Sequence, residues 1–468
     1  MVISPGSDPA PRVPCRAGSV LALALCLGGC AGTARLVGSP QQPALPMPAG
    51  ITVAFNHHAQ QRYRSPISGR WRQGEDLEAF VLESLAKAES EILVAVQELS
   101  LPRVAELLAA KHRQGVRVQV VLENTYSTPW SQEHRSALVP HQLRRHDQLQ
   151  ALGWGDAVAI LQSAGVPLLD DTADGSAGSG LMHHKFAVID RRVVITGSTN
   201  FTPSCVHGDP DDPRTRGNVN HLLRFESAEL AELFVEEFQR MWGDGPGGAA
   251  DSRFGIGKGG GPARTVRVGN SSVTVLFAPH RRSDPNQGLA QLRQQLERAR
   301  QRVDLALFVF SDQALADAMA TLHSQGVKLR VLADPGFANR SFSELMDLMG
   351  VSLPDHHCKL EARNRPWQRP LEGVGTPRLA PGDKLHHKLA VIDGHTVISG
   401  SFNWSPSAAH QNDETLLVIE SPLLARHFDQ EINRLWKGAE LGITARLQRK
   451  RARLASACGG VVQQRQST

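Results

Sequence analysis

The stretch Leu181-Met182-His183-His184-Lys185-Phe186-Ala187-Val188-Ile189-Asp190 decides how this chain is read, because it returns as Leu385-His386-His387-Lys388-Leu389-Ala390-Val391-Ile392-Asp393. Both copies have the spacing His-x-Lys-(x)4-Asp. In both, Gly-Ser-x-Asn begins seven residues after the Asp, as Gly197-Ser198-Thr199-Asn200 and as Gly400-Ser401-Phe402-Asn403. Each copy reads as strand, turn and return strand. The apolar runs suit strands covered on both faces. Val193-Val194-Ile195-Thr196 and Thr396-Val397-Ile398-Ser399 are the return strands. Residues i and i+2 of a strand share a face. His183 therefore points with Lys185, and His386 with Lys388, while His184 and His387 turn to the opposite face and read as structural.

Outward from the motif, the two halves repeat each other. Ile51-Thr52-Val53-Ala54-Phe55 matches Val273-Thr274-Val275-Leu276-Phe277 as an opening strand. Helical stretches follow over 77–88 and 289–299, then buried strands over 92–96 and 303–307. Helices over 104–115 and 315–326 end in Gln-Gly, a sensible stop. Strands over 116–122 and 327–332 come next. Each half closes on a helix whose apolar residues, Phe234, Phe238, Met241 and Trp242 or Phe428, Ile432, Leu435 and Trp436, form one packing stripe. Strands alternating with helices predict an α/β fold of two like lobes with mixed, largely parallel sheets.

This organisation gives lobes over 51–243 and 264–437, joined by a glycine-rich linker over 244–263. The polar insertions at 125–180 and 352–384 differ between the halves and are placed to shape access to a site. A basic tail, 438–468, carries Arg449, Lys450, Arg451 and Arg453. It reads as a solvated, frayed terminus, with a phosphate-attracting arm as the sharper alternative. At the other end, Arg12 and Arg16 precede an apolar run over 20–27, the layout of an export signal. Leu27-Gly28-Gly29-Cys30 resembles a bacterial lipoprotein cleavage box. That resemblance implies loss of residues 1–29, acylation of Cys30, and a tether over 30–50 holding an exported protein on the cell envelope. The alternative is an ordinary secretory signal and a secreted protein. No later segment has the roughly 18 apolar residues of a membrane span. Beyond the signal remain Cys30, Cys205, Cys358 and Cys458, without Cys-x-x-Cys, so neither a disulfide framework nor a cysteine metal site is expected. The net charge of +5 on 468 residues leans toward an anionic partner without specifying one.

Two His-Lys pairs suit one phosphodiester. A neutral imidazole can attack phosphorus and form a covalent intermediate. A second can protonate the leaving oxygen and then deprotonate water. Lys185 and Lys388 can sit against the non-bridging oxygens, with Ser198, Asn200, Ser401 and Asn403 as further donors to the phosphate. His57-His58 and His356-His357 lack a third ligand at useful spacing, so no metal site and no cofactor is expected.

The two motifs, with Gly-Ser-x-Asn in both and Asn403-Trp404-Ser405 after the second, resemble the signature of the phospholipase D superfamily. The resemblance covers nearly all of residues 51–437. It implies two lobes packed about a pseudo-twofold axis, one site between them, and a metal-independent phosphohistidine mechanism in a monomer. It also implies that Asp190 and Asp393 are structural. In that family an acid downstream of each motif orients a catalytic histidine. In the second half Glu414 is the candidate, and it is expected to hold His386. In the first half Asn220 stands where the acid is expected, and the inserted Asp209, Asp211 and Asp212 are alternatives. The resulting expectation is His183 as nucleophile and His386 as acid/base. The substrate expected is a phospholipid at a membrane surface, cleaved at its headgroup phosphodiester. A metal-independent endonuclease on DNA or RNA is the alternative. A phosphatidyl transferase resembling cardiolipin synthase and a binding protein without chemistry are the others.

Overall fold

A computed structural model describes residues 45–459, apart from 177–179, 210, 211, 213 and 362. The signal, Cys30 and most of the tether lie outside the described residues, as does Asp211. The first lobe is a seven-stranded sheet. From edge to edge it runs Ile51–Phe55, His221–Glu226, Val193–Gly197, Lys185–Ile189, Glu91–Val96, Arg117–Leu122 and Leu168–Asp170. The second lobe repeats this order in a nine-stranded sheet. There Ser271–Ala278, Glu414–Glu420, Thr396–Gly400, Lys388–Ile392, Arg302–Leu307, Lys328–Ala333 and Val374–Thr376 follow one another, with a further strand at each edge. The sheets are mixed, but they are not largely parallel. Parallel pairing is confined to the side away from the motif, where Glu91–Val96 meets Arg117–Leu122 and Arg302–Leu307 meets Lys328–Ala333. Each motif is a hairpin, so its two strands are necessarily antiparallel, and the strands on either side of it also pair antiparallel.

The closing helices, Ala228–Trp242 and Pro422–Trp436, lie between the lobes. One continuous core takes Phe186, Val188, Phe234 and Phe238 from the first lobe and Leu389, Val391, Phe428 and Ile432 from the second. The outer face of each sheet has its own core beneath the helices Leu77–Leu85 and Pro102–Arg113, or Gly288–Glu297 and Gln313–Ser324. The lobes thus share the layer that carries the motifs, and this layer cannot be divided without exposing phenylalanines.

Asp190 and Asp393 close the two hairpins at φ 48° and 51°. The Asp190 carboxylate accepts the backbone N–H groups of Glu89, Ser90 and Glu91 at 2.8–2.9 Å. Asp393 does the same for Arg300, Gln301 and Arg302 at 2.7–2.8 Å. Each pins the turn to the start of the neighbouring strand and lies at the far end of its hairpin from the histidine.

Three segments are more ordered than their composition indicates. The glycine-rich linker places Phe254 in the shared core and buries Lys258, whose ammonium pairs with Glu237 and, at 2.9 Å, with Asp413. The tail is not frayed over 440–457: Glu440–Leu441 joins the second sheet, and helix Ala445–Ala457 packs Leu447 into the second lobe. Cys358 and Cys458, expected to be unpaired, form a disulfide across a sequence separation of 100. Spacing alone could not pair them; the folded insertion over 352–384 brings Cys358 to the end of the helix.

Candidate active site

The lead-in to each motif pairs with the lead-in to the last strand of the other lobe. His183 N–H donates to Asp413 O at 3.0 Å, and His386 N–H donates to Val219 O at 3.0 Å. This exchange places His183, Lys185, His386 and Lys388 at one point between the lobes. Glycine is required where the return strands pass: a Cβ on Gly197 would lie 2.4 Å from His221 O, and one on Gly400 2.2 Å from Thr415 O.

The exchange also reverses the expected partner of Glu414. Its Oε2 lies 2.7 Å from His183 Nδ1, not beside His386. The same oxygen accepts the Ser401 hydroxyl at 2.6 Å, and Oε1 accepts Asn412 Nδ2 at 3.3 Å. His386 Nδ1 is held instead by Asn220 Oδ1 at 3.0 Å and by the Ser198 carbonyl at 2.9 Å. Asn220 is fixed in that sense, because its Nδ2 donates to the carbonyls of Cys205 and Asn218, both at 3.1 Å. Neither Asp209 nor Asp212 replaces it; Asp212 is engaged by Arg214. Each lobe therefore orients the other lobe's histidine, one through a carboxylate and one through neutral acceptors. With Nδ1 engaged in both rings, Nε2 is the nitrogen left to react. Each histidine is 7 % exposed, enough for that edge to meet a substrate.

The serines lie where the phosphate role cannot be theirs. Ser198 Oγ donates to Asn220 Oδ1 at 2.8 Å and Ser401 Oγ to Glu414, so both hydroxyls support the orienting groups from behind. Lys185 and Lys388 donate to the carbonyls of His183 and His386 at 2.7 and 2.8 Å, which leaves ammonium protons for an anion. Asn200 and Asn403 are half-buried at the site, and in both the Oδ1 atom is buried and unpaired among the described residues. His184 and His387 face away and are fully buried. His184 bridges Thr415 and Glu237, and His387 bridges His221 and Glu431.

Two residues at the site had no motif to mark them. Gln97 Oε1 lies 3.3 Å from both Lys185 Nζ and Asn200 Nδ2. At the matching position of the second lobe stands Phe308. Its ring packs against His386 at 4.8 Å between centroids, and Lys388 Nζ lies 4.9 Å above its face. Both follow a buried strand directly, so aligning the two halves would have found them. Asp76, Glu78 and His207 form the one group with metal-ligand spacing among the described residues, but their atoms are engaged. Asp76 caps a helix, Glu78 takes Arg103, and His207 bonds Tyr63 and Glu78.

Burial, then Lys185 and Lys388, pushes His183 well below the usual imidazole range. Burial, then the same two lysines, does likewise to His386. Both are neutral at pH 7, the form a nucleophile requires. Burial raises Glu414 to about 7 against the pull of Lys185, and lowers Lys185 to about 8. The signs define a pH profile. Glu414 acts as the carboxylate, so activity falls as pH drops through about 7. Lys185 and Lys388 act as ammonium groups, and burial lowers Lys185 to about 8 and, with Lys185 beside it, Lys388 well below its usual range, so activity falls as pH rises toward about 8. A bell-shaped kcat/KM is expected between those limits. The basic limb of kcat should lie higher, because a bound phosphodiester anion favours the ammonium. A flat profile from acid to alkaline pH would contradict both assignments.

Comparison with known proteins agrees with this geometry. A family model described as "Cardiolipin synthase, PLD-like domain" matches residues 81–242 and 292–436. The mitochondrial cardiolipin hydrolase of Xenopus tropicalis is 30% identical over 142 residues, 30% of this chain and 58% of that protein. The chain thus spans little more than half the length of that relative. A phospholipase D of Rickettsia prowazekii is 28% identical over 163 residues, 35% of this chain and 67% of that protein. In fold, the phosphatidylserine synthase of Haemophilus influenzae Rd KW20 superposes over 89% of this chain and 97% of its own, with TM-score 0.54 and 13% identity. With two matched regions that cover most of the chain and a pair of His-Lys motifs meeting at one site, this protein belongs to the phospholipase D superfamily.

Proposed function

We propose that the protein hydrolyses the headgroup phosphodiester of a phospholipid through a phosphohistidine on His183. Binding of the phosphodiester anion favours the imidazolium of His386, which takes a proton on Nε2 from solvent; His183 Nε2 then attacks phosphorus as the bond to the leaving oxygen breaks, and His386 Nε2 gives that oxygen its proton. Water then attacks phosphorus, loses its proton to His386 and displaces His183 as the P–N bond breaks. Lys185, Lys388, Asn200 and Asn403 hold the non-bridging oxygens through both five-coordinate states. The Glu414 carboxylate fixes the Nδ1–H tautomer of His183 and makes Nε2 the stronger nucleophile.

The observation that carries the lipid reading is a ladder of three phenylalanines leading out from His386. Phe308 packs on that ring, Phe337 lies 4.6 Å from Phe308, and Phe342 lies 6.5 Å from Phe337 and is 40 % exposed. Such a path gives the apolar part of a lipid a place beside the scissile phosphate. We place the enzyme outside the cytoplasm, anchored through Cys30. The disulfide supports this, since such bonds persist in oxidising compartments.

The test offers the full chain, in detergent and excess chelator, phosphatidylcholine or cardiolipin in one arm and plasmid DNA in the other. Phospholipid cleavage that survives the chelator is expected. DNA nicking without lipid cleavage would transfer the assignment to nucleic acid. Activity lost with the chelator would remove the metal-independent mechanism.

A further inference from the structure

The basic tail, read from sequence as a solvated terminus, forms one wall of a groove. Helix Ala445–Ala457 carries Arg446, Arg449, Lys450 and Arg453 at i, i+3, i+4 and i+7, a single stripe. That stripe faces the loop over 335–340 across a groove of about 540 Å³, to which Arg340 adds a fifth cation. Among the described residues, no carboxylate lines this groove, and none of the five cations has a carboxylate within ion-pair distance; Lys450 is bonded to Asn339 O and Arg340 to Gly336 O. Like charges at such spacing oppose an isolated helix. This helix is held in place by Leu447 in the core and by the disulfide from Cys458 to Cys358. Burial and then Arg340, Arg453 and Arg446 push the Lys450 ammonium down, the mark of a positive field without a counterion.

The groove lies one loop from the chemistry. Asp334, which opens the loop, accepts the backbone N–H of Leu385 beside His386 at 2.9 Å, and Phe337 on the loop belongs to the phenylalanine ladder. Its ends distinguish a headgroup from a nucleic-acid backbone. The adjoining depression on one side includes Asp355 and Glu361 with Lys359 among them, and on the other Asp383 and Glu440 with Arg378, so charge there is mixed. The unopposed positive stretch is therefore limited to one helix of 13 residues, roughly 20 Å at helical rise. A phosphate backbone would have to continue past carboxylates at both ends. Phe342 shares the first of these depressions with Arg340 and Lys450. An exposed aromatic beside cations is the pairing of a surface that seats on a membrane.

We infer that the groove between the 335–340 loop and helix Ala445–Ala457 binds headgroup phosphates of anionic phospholipid and seats the catalytic mouth on an anionic membrane. The inference rests on the lipid reading above, and its experiment separates the two. The full chain carrying Cys30→Ser, which removes the acylation candidate, is floated with vesicles of phosphatidylcholine alone or mixed with phosphatidylglycerol, at low and high salt. Salt-sensitive binding to the mixed vesicles is expected. Arg446→Gln/Arg449→Gln/Arg453→Gln should lower it by at least about tenfold, given the contribution of each cation near an anionic surface. The corresponding triple lysine variant should retain most of it. Turnover of a soluble diester, bis(p-nitrophenyl) phosphate, should be unchanged in both variants, which also checks that they fold. Equal vesicle binding by the wild type and the glutamine variant would overturn the inference. So would loss of duplex-oligonucleotide binding in the glutamine variant with vesicle binding intact. Vesicle binding that depends on the arginines in a protein without phospholipase activity would sink the catalytic reading alone.

Discussion

His183→Ala is expected to lower kcat/KM for a phosphodiester by at least about 10⁴-fold, because it removes the nucleophile of the proposed mechanism, and with it the covalent path and not one contact within it. His386→Ala is expected to fail differently. With a poor leaving group it should be as inactive as His183→Ala, since no proton reaches the departing oxygen. With a p-nitrophenyl diester the first step scarcely needs that proton, while the second still needs a base to activate water. The variant should therefore release close to one equivalent of nitrophenol per site and then stop. The trapped phosphoryl group should map to His183 by mass spectrometry. A label on His386 in the wild type, or a burst in His183→Ala, would reverse the two roles.

Glu414→Gln is expected to be the next most damaging change, with kcat down by up to about 10⁴-fold and KM little altered, as for the carboxylate that holds the imidazole of a Ser-His-Asp triad. The reason is local. Both oxygens of Glu414 accept hydrogen bonds: Oε2 from Ser401 and His183, Oε1 from Asn412. An amide must turn its NH₂ toward one of those donors, so a bond is lost and a buried donor is opposed whichever way it rotates. Because Glu414 holds His183, the slowed step should be the burst, in which the P–N bond forms. Had Glu414 held His386, the burst would persist and the second step would slow. Pre-steady-state release of nitrophenol separates these cases. The acid limb near pH 7 should flatten in the same variant, because its titrating group is gone.

That distinction marks the limit of what could be read from residue order. The strands, the hairpins and the shared face of His183 with Lys185 follow from periodicity and are found where expected. Glu414 and Asn220 were identifiable as orienting groups, because each opens or precedes a last strand in equivalent positions of the two halves. Which histidine each holds was not identifiable. The link depends on Met182 pairing with Asp413 and Val219 with Leu385, contacts across the lobe boundary. The hydroxyls of Ser198 and Ser401 were misplaced for a related reason: their position in the motif was legible, but not the inward turn that backs each orienting group.

Two like α/β halves, the His-Lys pairs, the superfamily and the chemistry those residues can perform are legible in residue order, because these depend on patterns a few residues long and on side-chain type. Tertiary structure alone decided that Glu414 serves His183 and Asn220 serves His386, that Phe308 faces His386 where Gln97 faces Lys185, and that Cys358 and Cys458 join. It also turned the basic tail from a loose end into the wall of a groove. Strand periodicity is set by the stereochemistry of one residue and its neighbours. A contact between residues up to 231 positions apart exists only once two packed sheets have brought them together, and no local pattern records it.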